Sequence, residues 1–254
     1  MRRPAPGLPD LRVRSRRAEL MDDPDLDPDR HHHALSALAR VNRVSLGAWR
    51  LGREVAALQQ PAGGPVRLLD AACGGGDVVV RVASAARRAG RPVVLHGCDR
   101  SPRALEAARS AGKAAGLPTR ASSDGGGVVH FFEHDALRDP IPDGYDLITS
   151  SLFLHHLAWA EAVQLLRAMA AAARRRLFVQ DLRRTRKGYL MAWLGLHTLT
   201  RSGVARVDGL RSVEAAFTLE EARRLCTEAT LQGAMVGKAW PQRFVVRWDR
   251  MVVS

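Results

Sequence analysis

The amino-acid sequence predicts an α/β fold built on a doubly wound, mainly parallel sheet, and three observations carry that expectation. Between residues 66 and 180, short β-branched or aromatic runs alternate with Ala- and Arg-rich stretches of helical period. The first of these runs passes straight into a cluster of glycines and then into a helix. Near the end of the chain two strand-like runs follow each other closely, a spacing that calls for antiparallel pairing. The expected architecture is a parallel sheet with an antiparallel C-terminal hairpin, preceded by an N-terminal helical cap.

The elements follow in order. Residues 1–20 contain Pro4, Pro6, Pro9 and six arginines but no usable hydrophobic period, and are expected to form a flexible basic arm. Residues 21–60 are expected to form the helical cap. The Asp22 to Asp29 stretch supplies helix-start signals, and Leu35, Leu38, Val41, Leu46, Trp49, Val55 and Leu58 recur at helical spacing. Gln60-Pro61-Ala62-Gly63-Gly64-Pro65 closes it, and residues 61–254 form the main domain. Strands are expected over 66–71, 93–98, 128–132, 145–150 and 177–180, with helices over 77–88, 102–115 and 158–173. Ser101-Pro102 marks one helix start firmly, because serine caps and proline suits the first helical position. Thr218-Leu219-Glu220-Glu221 is a capping box opening a helix to about residue 230, and 234–240 with 243–248 form the hairpin. No internal repeat is visible, which excludes a solenoid.

Composition narrows the class. With 254 residues, 46% apolar and 26% charged, the chain fits a globular domain and excludes collagen, coiled coil and wholesale disorder. Three cysteines without a CxxC spacing argue against a disulfide framework or a zinc knot. The longest mostly apolar run, 188–199, is well short of the roughly 20 residues that cross a bilayer, so a cytoplasmic protein is expected. The net charge of +13 is carried by arginine in 36 of 39 cations, a compositional skew, and residues 147–254 hold most of the excess, with 17 cations against 8 anions.

The segment Leu68-Leu69-Asp70-Ala71-Ala72-Cys73-Gly74-Gly75-Gly76-Asp77 carries the most chemistry. Glycines between a strand and a helix let backbone amides approach a nucleotide-like ligand. Neither frame of the dinucleotide pattern fits, since Val79 or Asp77 falls at the third glycine, and no lysine is present for a phosphate loop. Two later acids sit at strand ends: Asp99, placed to accept both hydroxyls of a ribose, and Asp135. Asp70 to Gly76 resembles the D-x-G-x-G-x-G signature of class I S-adenosylmethionine-dependent methyltransferases, with Ala72 in place of the first glycine. The resemblance implies a Rossmann-like fold and S-adenosylmethionine as cofactor. It also implies cofactor contacts from Asp70, Ala72, Gly74 and Gly76, from Asp99 and Arg100, from Asp135 and Ala136 near the adenine, and from Ser151. Its nearest branch acts on small molecules of quinone, phenol or polyketide type. The plainer alternative for either later acid alone is a cap or turn residue.

Strand four ends in Ser150-Ser151-Leu152-Phe153-Leu154-His155-His156 and strand five runs into Asp181. Neighbouring strands would open both ends into one cleft, with His155 as general base and Asp181 as the residue that orients it. The plainer alternative has His156 packing and His155 only lining the pocket, with proximity supplying the rate. No metal is expected, because no acidic cluster follows strand four, and His31-His32-His33 lacks further ligands. The basic and then apolar stretch 183–199, within an acceptor-binding insertion over 183–217, could rim a pocket or touch a membrane surface; the plain reading is a core helix with solvated arginines. Trp49 and His197 are further acceptor-side candidates. The expected partner is an apolar small molecule. Two alternatives are carried: a nucleic-acid methyltransferase, disfavoured by the absence of an Asn/Asp-Pro-Pro-aromatic or Pro-Cys segment and by 5% aromatics, and a non-catalytic binding protein.

Overall fold

The computed structural model describes residues 9–23, 25–27, 29, 30, 33, 34, 37, 40, 45–58, 64–118 and 128–251. Its strands are β1 (Val66–Ala71), β2 (Val93–Asp99), β3 (Val128–Glu133), β4 (Tyr145–Ser151), β5 (Ala173–Leu182), β6 (Met235–Ala239) and β7 (Arg243–Asp249). Its helices are α1 (Gly47–Ala57), α2 (Asp77–Arg88), α3 (Pro102–Ala114), α4 (Trp159–Ala172), α5 (Arg186–Leu199), α6 (Gly203–Ala215) and α7 (Leu219–Glu228). The strands form one sheet in the order β3-β2-β1-β4-β5-β7-β6. The first five run parallel, and β7 joins β5 and β6 antiparallel. This is the Rossmann-like arrangement expected. β1 lies between β2 and β4, so the chain reverses its course across the sheet there, and the carboxyl ends of β1 and β4 flank the crevice where such sheets bind ligands.

Each face of the sheet buries a separate core. On one side Leu51 and Val55 of α1, Val79, Val82 and Ala83 of α2, and Leu105 and Ala108 of α3 pack with Leu68, Leu95 and Phe131. On the other, Leu165, Leu166 and Met169 of α4 and Leu225 of α7 pack with Leu69, Ile148, Phe217 and Phe244. Side chains alternate across the strands, so burial on both faces is what makes β1 and β4 nearly continuous apolar runs. The start signals hold: Ser101 accepts from the Ala104 amide, and Thr218 and Glu221 cap each other's amides.

Strand β5 is longer than its apolar run indicated, because it begins at Ala173 and runs through Arg174-Arg175-Arg176. Arg176 is buried there with Nε on Asp249 at 2.5 Å and Nη1 on Glu54 at 2.9 Å, and pairing on both sides is what lets a guanidinium lie inside a sheet. Helix α6 also had no clear sequence signal, since Asp208, Ser212 and Glu214 are among its buried residues and erase the amphipathic period.

The largest departure is at the N-terminus. Residues 1–8 lie outside the described residues, but 9–20 are docked rather than loose. Asp208 accepts the amides of Leu20 and Met21 at 2.7 and 3.0 Å, Arg17 pairs with Glu214, and Arg14 donates to the carbonyls of Ala215 and His155. Arg184 reaches the Leu11 carbonyl at 3.0 Å. Arginine-to-carbonyl bonds leave no hydrophobic period, which is why the segment reads as unstructured. Within the expected helical cap, α1 is present and Ala34 and Ala37 pack on Val204 and Ala205; Leu35, Leu38, Val41, His31 and His32 lie outside the described residues. No helix among the described residues is long and apolar enough to cross a membrane.

Candidate active site

The turn between β1 and α2 takes three left-handed positions, Ala72 (φ 57°), Gly74 (φ 54°) and Gly76 (φ 69°). The two glycines do different work. A Cβ on Gly76 would lie 2.8 Å from both Ala108 Cβ and Phe131 Cζ, so only glycine lets α2 close on α3 and β3. A Cβ on Gly74 would meet nothing within 4 Å, because that side faces open space. Ala72 holds a conformation that costs an L-residue roughly 1–2 kcal/mol, and it is the position where the family signature has glycine.

Asp70, the penultimate residue of β1, is almost wholly buried, at 2% exposure, and its Oδ1 has no hydrogen-bond partner. Burial, then the charges of Asp77 and Asp99, push its carboxyl well above the usual range. An unpaired buried acceptor is costly on its own, and a cationic ligand group would satisfy it. Asp99, half-buried at the end of β2, accepts from the Gly74 amide at 2.8 Å through Oδ2 and from the Ser101 amide at 2.9 Å through Oδ1. It thereby staples the loop to the start of α3, and each oxygen retains a second lone pair. Asp135 closes its own turn, accepting from Leu137 at 3.0 Å. The His134 amide donates to the Asp99 carbonyl at 3.1 Å, which draws the β3 end against the β2 end.

A cavity of about 1200 Å³ lies beside the loop. Its wall includes Asp70, Ala72, Gly74, Ser151 and His155 among the residues expected from sequence. Gly76, Asp99, Arg100, Asp135, Ala136 and Asp181 stand outside that wall. Asp99 and Asp135 are turned to local amides, Arg100 is exposed, Ala136 is buried in the core around α4, and Asp181 lies behind His155. Helices α5 and α6 supply an apolar side through Met191, Ala192, Leu196 and Val213. Trp49 is exposed and outside the wall, with Ser45 and Met21 in it instead; His197 is also outside, its Nδ1 on the Trp193 carbonyl at 2.7 Å. Leu190, Leu194 and Leu199 are exposed on α5, while Arg184 is buried against Glu221.

His155 sits in a 3-10 turn, Leu154–His156, directly after β4. Its Nδ1 donates to Asp181 Oδ1 at 2.7 Å, and its backbone amide donates to Asp181 Oδ2 at 3.0 Å. The remaining ring nitrogen, Nε2, lies 4.0 Å from Glu19 Oε1. Burial opposes charge on this imidazole, but the charge and hydrogen bond of Asp181, with Glu19 beside it, outweigh burial and raise its pKa. Asp181 moves down, because His155 and two backbone amides outweigh its burial. His156 is held down to about 3 by burial and then by its neighbour His155. The imidazole thus has one fixed tautomer and one nitrogen left for chemistry.

Two positions that shape the candidate site escaped sequence reasoning. Gln180, fully buried, bonds the Gly47 carbonyl and the Ser151 hydroxyl, each at 3.1 Å, and so ties α1 to the cavity wall. A polar residue ending an apolar strand run was the available signal. Glu19 arrives from the N-terminal segment, and nothing local to its sequence marks it.

Residues 68–176 match the family model for a methyltransferase domain. Over these residues the chain therefore carries a methyltransferase domain. Solved structures agree at the level of the fold. The plantazolicin methyltransferase BpumL in complex with SAH is 15% identical with a TM-score of 0.62, covering 89% of this chain and 92% of that one. The magnesium protoporphyrin IX methyltransferase ChlM from Synechocystis with bound SAH is 15% identical with a TM-score of 0.55, covering 90% of each chain. An O-methyltransferase family 2 protein from Planctomyces limnophilus in complex with apigenin is 16% identical with a TM-score of 0.57. It is covered over 63% of its length by 90% of this chain, which spans less than two thirds of that protein. No curated protein matches the sequence.

Proposed function

We propose that the protein transfers the methyl group of S-adenosylmethionine to an oxygen, or less readily a carbon, of an apolar small molecule such as a phenol, quinone or polyketide. The observation that carries this reading is His155: Asp181 fixes its Nδ1, and the ring stands in the wall of the same cavity as the glycine loop. The cofactor fits the residues present. Asp70 offers an unpaired buried carboxylate oxygen suited to the α-ammonium, the backbone at Gly74 is open, and Asp99, which holds the Gly74 amide from just outside the cavity wall, keeps a lone pair on each oxygen for a ribose hydroxyl. Bound there, it supplies an electrophilic methyl on a sulfonium.

Asp181 keeps the proton on His155 Nδ1, so Nε2 presents the lone pair. A phenol, with a reference pKa near 10, is mostly protonated at neutral pH, and Nε2 would take its proton so that the acceptor oxygen presents a lone pair to the methyl group the bound cofactor would supply. Met191, Leu196 and Val213 exclude water and hold the apolar body of the acceptor. The likeness to an O-methyltransferase family 2 protein holding apigenin agrees with such an acceptor. Calorimetry with S-adenosylmethionine and its demethylated product, followed by labelled-methyl transfer to a phenol and polyketide panel, tests the reading. Absence of heat for both ligands would end it, and label appearing only in nucleic acid would move the acceptor class.

A further inference from the structure

We propose that Glu19, His155 and His156 form a binding site for a transition-metal cation of the Zn²⁺ type in the wall of the acceptor cavity. One ligand atom from each of the three lies within 4.8 Å of the others, with His155 Nε2 and Glu19 Oε1 4.0 Å apart. A tetrahedral Zn²⁺ with bonds of about 2.0–2.1 Å needs ligand atoms about 3.3 Å apart, so the His155–Glu19 pair has less than an ångström to close. Side-chain torsions can supply that.

The groups behind the ligands are those that hold a metal site in place. Asp181 accepts from His155 Nδ1 at 2.7 Å, which aims Nε2 at Glu19 in the carboxylate–histidine–metal manner. Ser212 Oγ donates to Glu19 Oε1, and Asp208 pins the amides of the next two residues, so Glu19 is delivered from a fixed backbone. Glu19 and Asp181 bring two negative charges. The guanidiniums of Arg14 and Arg16 are turned to backbone carbonyls, Arg14 to those of His155 and Ala215 and Arg16 to that of His156.

Two imidazoles and one carboxylate favour Zn²⁺, Co²⁺ or Ni²⁺ over Mg²⁺ or Ca²⁺, which prefer all-oxygen shells. Three protein ligands leave a fourth position for water or an acceptor oxygen, and Glu19, His155 and His156 all face the cavity. The sequence pointed away from a metal because the expected carboxylates after strand four are missing. The structure brings a carboxylate from the other end of the chain instead. A cation on Nε2 would take the lone pair assigned above to the acceptor's proton. That consequence rests on the proposed function; the binding does not.

The test uses the full chain stripped of metal and titrated with Zn²⁺ against a chromophoric chelator, with Co²⁺ absorption as a report of tetrahedral geometry. One equivalent per chain is expected, with affinity lowered at least tenfold in Glu19→Gln and in His156→Gln and retained when His31, His32 and His33 are all replaced by alanine. S-adenosylmethionine calorimetry on each variant reports folding. Failure of the wild type to bind one equivalent, unchanged affinity in both single variants, or loss only in the triple variant would overturn the proposal. Zn²⁺ bound through Glu19 in a protein that transfers no methyl would sustain the site while removing the proposed function.

Discussion

Asp181 grips His155 at two points, accepting the ring Nδ1–H at 2.7 Å and the backbone N–H at 3.0 Å. The first bond sets the tautomer and the second sets the turn that carries the ring. Both are possible because β4 and β5 are parallel neighbours with Ser151 opposite Gln180, so their ends open side by side.

Replacing Asp181 with asparagine should therefore lower kcat by about 10²-fold, at the lower end of what a positioned base contributes. S-adenosylmethionine affinity should stay within twofold by calorimetry. In the wild type, turnover should climb with pH to a plateau above the ordinary imidazole range, because a raised His155 must first lose its proton. The Asp181→Asn profile should reach half-maximum at lower pH.

His156 makes an acid-side prediction. Its folded-state pKa, about 3, lies below the unfolded value of about 6.5. Between these values the unfolded chain binds the extra proton, so stability falls as pH drops through that window. His96, lowered to about 4 chiefly by burial, adds in the same direction. Melting temperatures from pH 7 to 4 should decline in the wild type and decline less in His156→Gln; equal slopes would refute the assignment.

Asp70 should trade stability against binding. An amide there removes a buried, partnerless carboxylate that faces Asp77 and Asp99. Asp70→Asn should raise the unfolding free energy of the ligand-free protein by about 1–3 kcal/mol. It should weaken S-adenosylmethionine at least tenfold. Chemical denaturation and calorimetry on one preparation measure both.

The loop glycines should separate cleanly. Gly74→Ala meets open space and bears only the left-handed penalty of about 1–2 kcal/mol, while placing a methyl where a ligand would come close. It should fold and bind S-adenosylmethionine poorly. Gly76→Ala drives a Cβ to 2.8 Å from Phe131 and Ala108, and should lose about 3 kcal/mol or more. Ala72→Gly should move the other way, raising the melting temperature by a few degrees.

On the acceptor side, Ala192→Trp fills part of the cavity wall on α5, away from the glycine loop. The KM for a bulky phenolic acceptor should rise severalfold with cofactor affinity unchanged, as steady-state kinetics with two acceptor sizes would show.

Local signals made the sheet legible. Ser101-Pro102, Thr218 with Glu221, and the apolar runs of β1 and β4 each act within a few residues, and those elements lie where the sequence places them. The Asp70 loop and the meeting of His155 with Asp181 were readable because strand ends in a parallel sheet converge. The start of β5 was not, since Arg176 is burial-compatible only through Glu54 and Asp249, both far away in sequence. Glu19 was hidden for the same reason: its neighbours Ser212 and His155 are more than 130 residues distant.

Arg184 ties its own stretch of chain to two others that a sequence map keeps apart, through the Leu11 carbonyl on one and the Ala216 carbonyl and Glu221 carboxylate on the other. Anyone preparing the protein for crystallisation would be tempted to trim the polar, proline-studded leader. Cutting after residue 20 would strip that guanidinium of one partner, Asp208 of the Leu20 amide and the cavity of a carboxylate. A shortened chain could then look well folded around its glycine loop while lacking Glu19, the residue of that segment that lines the cavity.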